Sequence, residues 1–137
     1  MKVLIASLVV VCISSFGFSQ VTNESKIVET FGQEWYDRVE IQTPSLVVLL
    51  DKYIDHGFLL LTVDEGKYME FEPLEFVTKA NDEEEPATVN EFLHDVESSG
   101  FNPLNYAFFP SKDPQVFKLK GVNKIIYILP QAEILSK

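Results

Sequence analysis

Two histidines, His56 and His94, are the only side chains in this chain whose ordinary pKa suits general-base work near neutrality. His94 precedes Ser98 by four residues, a spacing that brings both onto one helix face, with Glu91 and Asp95 beside them. A histidine-activated serine is the chemistry of acyl transfer. That reaction also requires oxyanion donors and a sheltered pocket, and this face is polar and exposed. His94 therefore reads as a surface histidine rather than a base. His56 falls in the last turn of its predicted helix, where the negative end of the macrodipole favours an imidazolium.

Carboxylate chemistry needs two acids at a set separation within a cleft, one with its pKa raised by burial. Asp51 and Asp55, four apart on the most apolar predicted helix, are the best-placed pair. Lys52 lies beside them, which makes the stripe an ordinary solvent-facing one. With twenty-one acids in the chain, such pairs discriminate poorly. A small hydrolase using acidic residues or His94 stays as one alternative; the balance is against an enzyme.

No His-Glu-x-x-His spacing occurs, and the only cysteine is Cys12. The six glycines are scattered and form no phosphate-cradling loop. The acidic run of Asp82 and Glu83 to Glu85 lacks the alternating ligands and the glycine of a calcium loop. The sequence thus predicts no catalytic constellation, no cofactor and no bound metal.

Residues 1–19 carry an address. Lys2 precedes the apolar run Val3 to Ile13, and Gly17 and Ser19 occupy positions −3 and −1 before Gln20. This is the pattern of a secretory signal peptide, predicting an exported protein of the periplasm or the medium. Cys12 would leave with that segment, and Val11 before it is a poor lipobox residue. Removing nineteen of 137 residues leaves 118, predicted as a single α+β domain over 20–137 with no membrane span. Without Lys2, twenty-one acids face ten bases, a net charge of −11. A field of that sign repels nucleic acid and anionic lipid; it favours solubility, or a cationic partner.

The elements that must position any site begin with an amphipathic helix over 24–40. Ile27, Val28, Phe31, Trp35, Tyr36 and Val39 fall on one arc, with Asn23 or Ser25 as cap. Gly32 lies within that arc, where a missing side chain permits close approach. Thr43-Pro44 opens a second helix reaching His56 and ending at Gly57, a left-handed terminator. Strands are predicted at Phe58 to Val63, Lys67 to Glu72 and Leu74 to Thr78. Asn81 to Pro86 reads as a solvated linker, and Thr88 and Glu91 form a capping box for a third helix. Further strands are predicted at Asn105 to Phe109, Val116 to Lys120 and Lys124 to Leu129.

These elements predict an α+β fold: an antiparallel sheet of five to six strands with two to three helices mainly on one face. Their order after the leading helix, α-βββ-α-βββ, includes a shared Leu-to-Gly spacing at Leu50…Gly57-Phe58 and Leu93…Gly100-Phe101. Helices ending in glycine produce such coincidences without duplication.

Strand alternation leaves an apolar surplus. Phe58, Leu60 and Thr62 should face one way and Leu59, Leu61 and Val63 the other. Leu59, Leu61, Val63, Tyr106, Phe108 and Phe109 are accordingly the candidate interaction residues. The function expected is a non-enzymatic exported binding or interaction module that takes a protein partner or an apolar ligand, or self-associates. An inhibitor of a cationic extracytoplasmic enzyme is the alternative within that class.

Overall fold

The computed structural model describes residues 22–81 and 83–137. The signal segment, the Gln20 start and Asp82 of the acidic linker lie outside the described residues. Helix α1 spans Asn23–Phe31 and α2 spans Gln33–Gln42. The cap is Thr22, one residue earlier than expected, whose hydroxyl accepts the Ser25 N–H at 3.1 Å. The single predicted helix is broken at Gly32, where φ is +97° and ψ 153°, a backbone state closed to residues with a Cβ. Nothing lies within 4 Å of the place a Cβ would occupy there. Gly32 therefore serves the change of chain direction and not a close approach.

Helix α3 runs over Pro44–Lys52, with Pro44 in the first turn, and a single π turn follows at Tyr53–Gly57. Gly57 is not left-handed, contrary to expectation. It is glycine because an added Cβ would sit 2.7 Å from both Ile134 Cδ1 and Tyr53 Cδ1. Strand β1 (Phe58–Thr62) leaves this turn. The paired segments β2 (Phe76–Val77) and β3 (Ala87–Thr88) precede α4, Val89–Glu97. The capping box that starts α4 is formed in both directions: the Thr88 hydroxyl accepts the Glu91 N–H, and the Glu91 carboxylate accepts the Thr88 N–H. A 3₁₀ turn at Pro103–Asn105, strands β4 (Gln115–Lys118) and β5 (Lys124–Ile128), and helix α5 (Gln131–Leu135) complete the order.

The α+β class holds, but the five- to six-stranded sheet does not form. Among the described residues the strands make an antiparallel three-stranded sheet, ordered β1-β5-β4, and a separate two-stranded β2-β3 ribbon, beside five helices. Two predicted strands do not form, and a third, Leu74 to Thr78, shrinks to Phe76–Val77 and joins the separate ribbon. Lys67 to Glu72 alternates in sequence, yet folds as successive turns, with Tyr68 at a left-handed φ of 61°. Asn105 to Phe109 begins in the 3₁₀ turn and runs on irregularly, its β pairing among the described residues limited to the Lys79–Tyr106 bridge. The second half accordingly has two strands and then α5, so the α-βββ-α-βββ order is not realised.

Register places Phe58 and Leu60 on the sheet face that carries Ile128, Ile126 and Phe117. Rings crowd that face: Phe58 lies 5.6 Å from Phe101 and 6.2 Å from Phe92 between centroids, and Phe117 lies 4.7 Å from Phe108. Leu59 and Leu61 share the opposite face with Tyr127 and Ile125. Ile125 is buried, while its cross-strand neighbour Leu61 is 39% exposed, so this face is covered in part only. One hydrophobic cluster gathers residues from α1 (Ile27) to α5 (Ile134), Leu50, Tyr53, Phe92 and Ile126 among them. No helix among the described residues is long and apolar enough to cross a membrane.

Candidate binding site

The break at Gly32 turns the chain so that Phe31, ending α1, and Trp35, in the first turn of α2, stack. Their centroids are 4.3 Å apart and their planes 23° from parallel. Phe109 approaches Phe31 from the irregular segment before β4, at 6.5 Å. Leu46, Leu49 and Leu50 of α3, with Pro110 and Gln131, complete an apolar groove of about 280 Å³. That volume falls just below the usual range for small-molecule pockets, and suits one inserted side chain better than an enclosed ligand.

Side-chain hydrogen bonds hold the Phe109 segment in place. Gln115 Nε2 donates to the Phe109 carbonyl at 2.8 Å, and Gln131 Nε2 to the Pro110 carbonyl at 3.0 Å. The Gln131 N–H donates to the Ser111 carbonyl at 2.8 Å. One residue before Phe109, the buried Phe108 carbonyl accepts the Tyr53 hydroxyl. Phe109 itself remains 40% exposed. A large apolar ring on a backbone anchored in this way, and left in water, is ready for a partner at small entropic cost.

Phe31 and Phe109 also wall a second, wider cleft of about 690 Å³ on their other side. It is lined by Glu29, Glu84 and Asp95 against one ammonium, Lys79, which lies 3.5 Å from Glu84. Buried Asn102 anchors Thr30 of its lining: Nδ2 donates to the Lys26 carbonyl at 3.1 Å and to Thr30 Oγ1 at 3.2 Å, and Oδ1 accepts the Leu104 N–H. The Tyr106 hydroxyl donates to Asp95 Oδ2 at 2.6 Å. Burial, then that hydrogen bond and the charges of Asp95 and Glu91, push the phenol above its ordinary value, so it stays a protonated donor. An apolar slot and an acid-lined cleft thus meet at a shared wall of two phenylalanines.

The sequence-predicted residues are dispersed. Of the six candidate interaction residues, Tyr106 and Phe108 are buried in the core, and Leu59 and Val63 are half-buried. Leu61 and Phe109 are exposed, on different parts of the surface. Phe31 and Trp35 lie on the apolar arc expected to face the core, and Leu46 and Leu49 join them at the groove. The signal that marks them is the only tryptophan lying three residues after a helix-breaking glycine.

The catalytic candidates find other partners. The Ser98 hydroxyl donates to the Asp95 carbonyl at 2.5 Å and not to His94, which is exposed. Glu91 is engaged by the capping box, and Asp51 Oδ1 accepts Asn23 Nδ2 at 3.0 Å. Asp51 and Asp55 both face solvent. Among the described residues, no group of three or more His, Cys, Asp or Glu side chains is arranged to hold a metal. No protein-family model matches the chain, and no curated protein or solved structure matches it significantly.

Proposed function

We propose that the protein is a non-enzymatic, exported binding module whose Phe31–Trp35–Phe109 groove takes one aromatic or aliphatic side chain of a protein partner. The observation that carries this reading is the exposed Phe109 ring, on a backbone held by side-chain hydrogen bonds beside an apolar slot of side-chain size. Aromatic anchors in desolvated pockets dominate the energy of most protein interfaces.

The adjoining cleft gives the partner its charge. Glu29, Glu84 and Asp95 against Lys79, in a chain of net charge −10, favour a basic residue next to the anchor. Electrostatic complementarity of this kind speeds encounter and rejects acidic partners. The same feature supports the narrower reading of an inhibitor of a cationic extracytoplasmic enzyme, since such an enzyme presents basic surface beside apolar side chains.

Trp35 emission reports on the slot directly. Titration with Arg-Phe dipeptide amide should give a saturable change, and Glu-Phe amide a much weaker one. The response should disappear in Phe109→Ala. A response to both peptides alike, or one that survives Phe109→Ala, would place recognition elsewhere.

A further inference from the structure

We infer that the free edge of β1 pairs with the β1 edge of a second copy of this chain, joining two three-stranded sheets into one across a two-fold axis at Leu60. The hydrogen-bond parity of the strand sets the register. Val63 donates its N–H to the Asn123 carbonyl at 2.9 Å, and Leu129 donates to the Gly57 carbonyl at 3.0 Å. Gly57, Leu59, Leu61 and Val63 therefore bond inward to β5, and Phe58, Leu60 and Thr62 direct their backbone carbonyls outward. Among the described residues no hydrogen bond reaches the outward N–H and C=O of Leu60, or the outward C=O of Phe58.

The two edges of the sheet are treated differently. Along the outer edge of β4, Leu74 caps the ladder: its N–H donates to the Lys118 carbonyl at 2.8 Å, and the Lys120 N–H donates to the Leu74 carbonyl at 3.0 Å. Lys118 and Lys120 add charge there, the usual protection of an edge. Strand β1, Phe-Leu-Leu-Leu-Thr, has no charge, no proline and no cap. An uncharged stretch in a chain of net charge −10 is where two copies approach with least repulsion.

Antiparallel pairing about Leu60 is self-complementary. Leu60 exchanges both main-chain bonds with the partner's Leu60, and the Thr62 N–H meets the carbonyl of the partner's Phe58. On the partly covered face, Leu61 falls opposite the partner's Leu59, so the 39% exposure of Leu61 is removed. This self-complementarity about a single residue, on an uncharged edge, selects a second copy over an arbitrary strand.

The test is sedimentation velocity of the purified protein over a wide concentration range, with two variants. Leu60→Pro removes an outward N–H, which an edge strand tolerates, and trims a half-buried side chain, so its fold is checked alongside. Leu61→Lys puts a charge against the partner's Leu59. A concentration-dependent dimer is expected, weakened about a hundredfold or more in both variants. Far-ultraviolet circular dichroism should stay unchanged, and Met69→Lys, at a residue 77% exposed outside the strand, should leave the dimer intact. A wild-type protein that stays monomeric at every concentration overturns the inference. So does a dimer that persists in folded Leu60→Pro, and neither result bears on the Phe109 groove.

Discussion

The Tyr53 hydroxyl donates its hydrogen bond to the Phe108 carbonyl, joining the π turn after α3 to the irregular segment that carries Phe109. Tyr53 is fully buried, and the two residues lie 55 apart in sequence. The bond satisfies the phenol and also sets the distance between the α3 side of the groove and its Phe109 wall.

Tyr53→Phe should therefore cost about 1–3 kcal/mol, because it leaves the buried Phe108 carbonyl without its partner. Urea denaturation measures this as a lowered midpoint with an unchanged slope. A wild-type midpoint would mean that the bond contributes nothing to stability.

Alkaline pH tests the same bond from the other side. Burial raises the Tyr53 phenol above its ordinary value of 10, and burial with Asp95 raises Tyr106 likewise. Above pH 10 the unfolded chain releases these protons while the folded chain keeps them. The unfolded state then binds fewer protons, so stability falls as pH rises, having been fully present below pH 10. The midpoint should decline above that pH, and the decline should be shallower in Tyr53→Phe and in Tyr106→Phe. An equal decline in wild type and variants would contradict the assignment.

The two special glycines should fail for different reasons. Gly57→Ala forces a Cβ to 2.7 Å from Ile134 Cδ1 and the Tyr53 ring, overpacking worth about 1–3 kcal/mol. Gly32→Ala meets no neighbour, but strains a residue at φ +97°, also by about 1–3 kcal/mol. Ile134→Val, which removes Cδ1, should recover part of the first loss and none of the second. A double-mutant cycle reads this difference as a coupling energy at Gly57 alone.

Leu50 lies in the core and also floors the groove. Leu50→Ala should lower stability by about 2–5 kcal/mol through lost burial and a residual cavity. A wild-type unfolding midpoint would show that α3 does not bury this face.

Local signals explain what was legible. Thr88 and Glu91 need only each other to cap α4, and the apolar runs of β1 and β5 pair as uninterrupted neighbours. The same periodicity misled at Gly32, where the apolar arc continues across a residue whose φ ends the helix. Lys67 to Glu72 alternates with strand periodicity, but turns carry the same pattern at no penalty when no partner strand lies alongside. The groove was least legible, because Trp35 and Phe109 lie far apart in sequence. Apolar spacing on a helix does not distinguish a ring that fills the core from one that stacks at its rim.

The binding claim is tested most directly by ¹H–¹⁵N NMR of the full chain titrated with Arg-Phe dipeptide amide. The Trp35 indole N–H and the backbone amides of Phe31, Leu49 and Phe109 should shift together and saturate at one stoichiometry, with all four responses abolished in Phe109→Ala. Shifts confined to other residues, or identical titrations of wild type and Phe109→Ala, would contradict the groove as the recognition site.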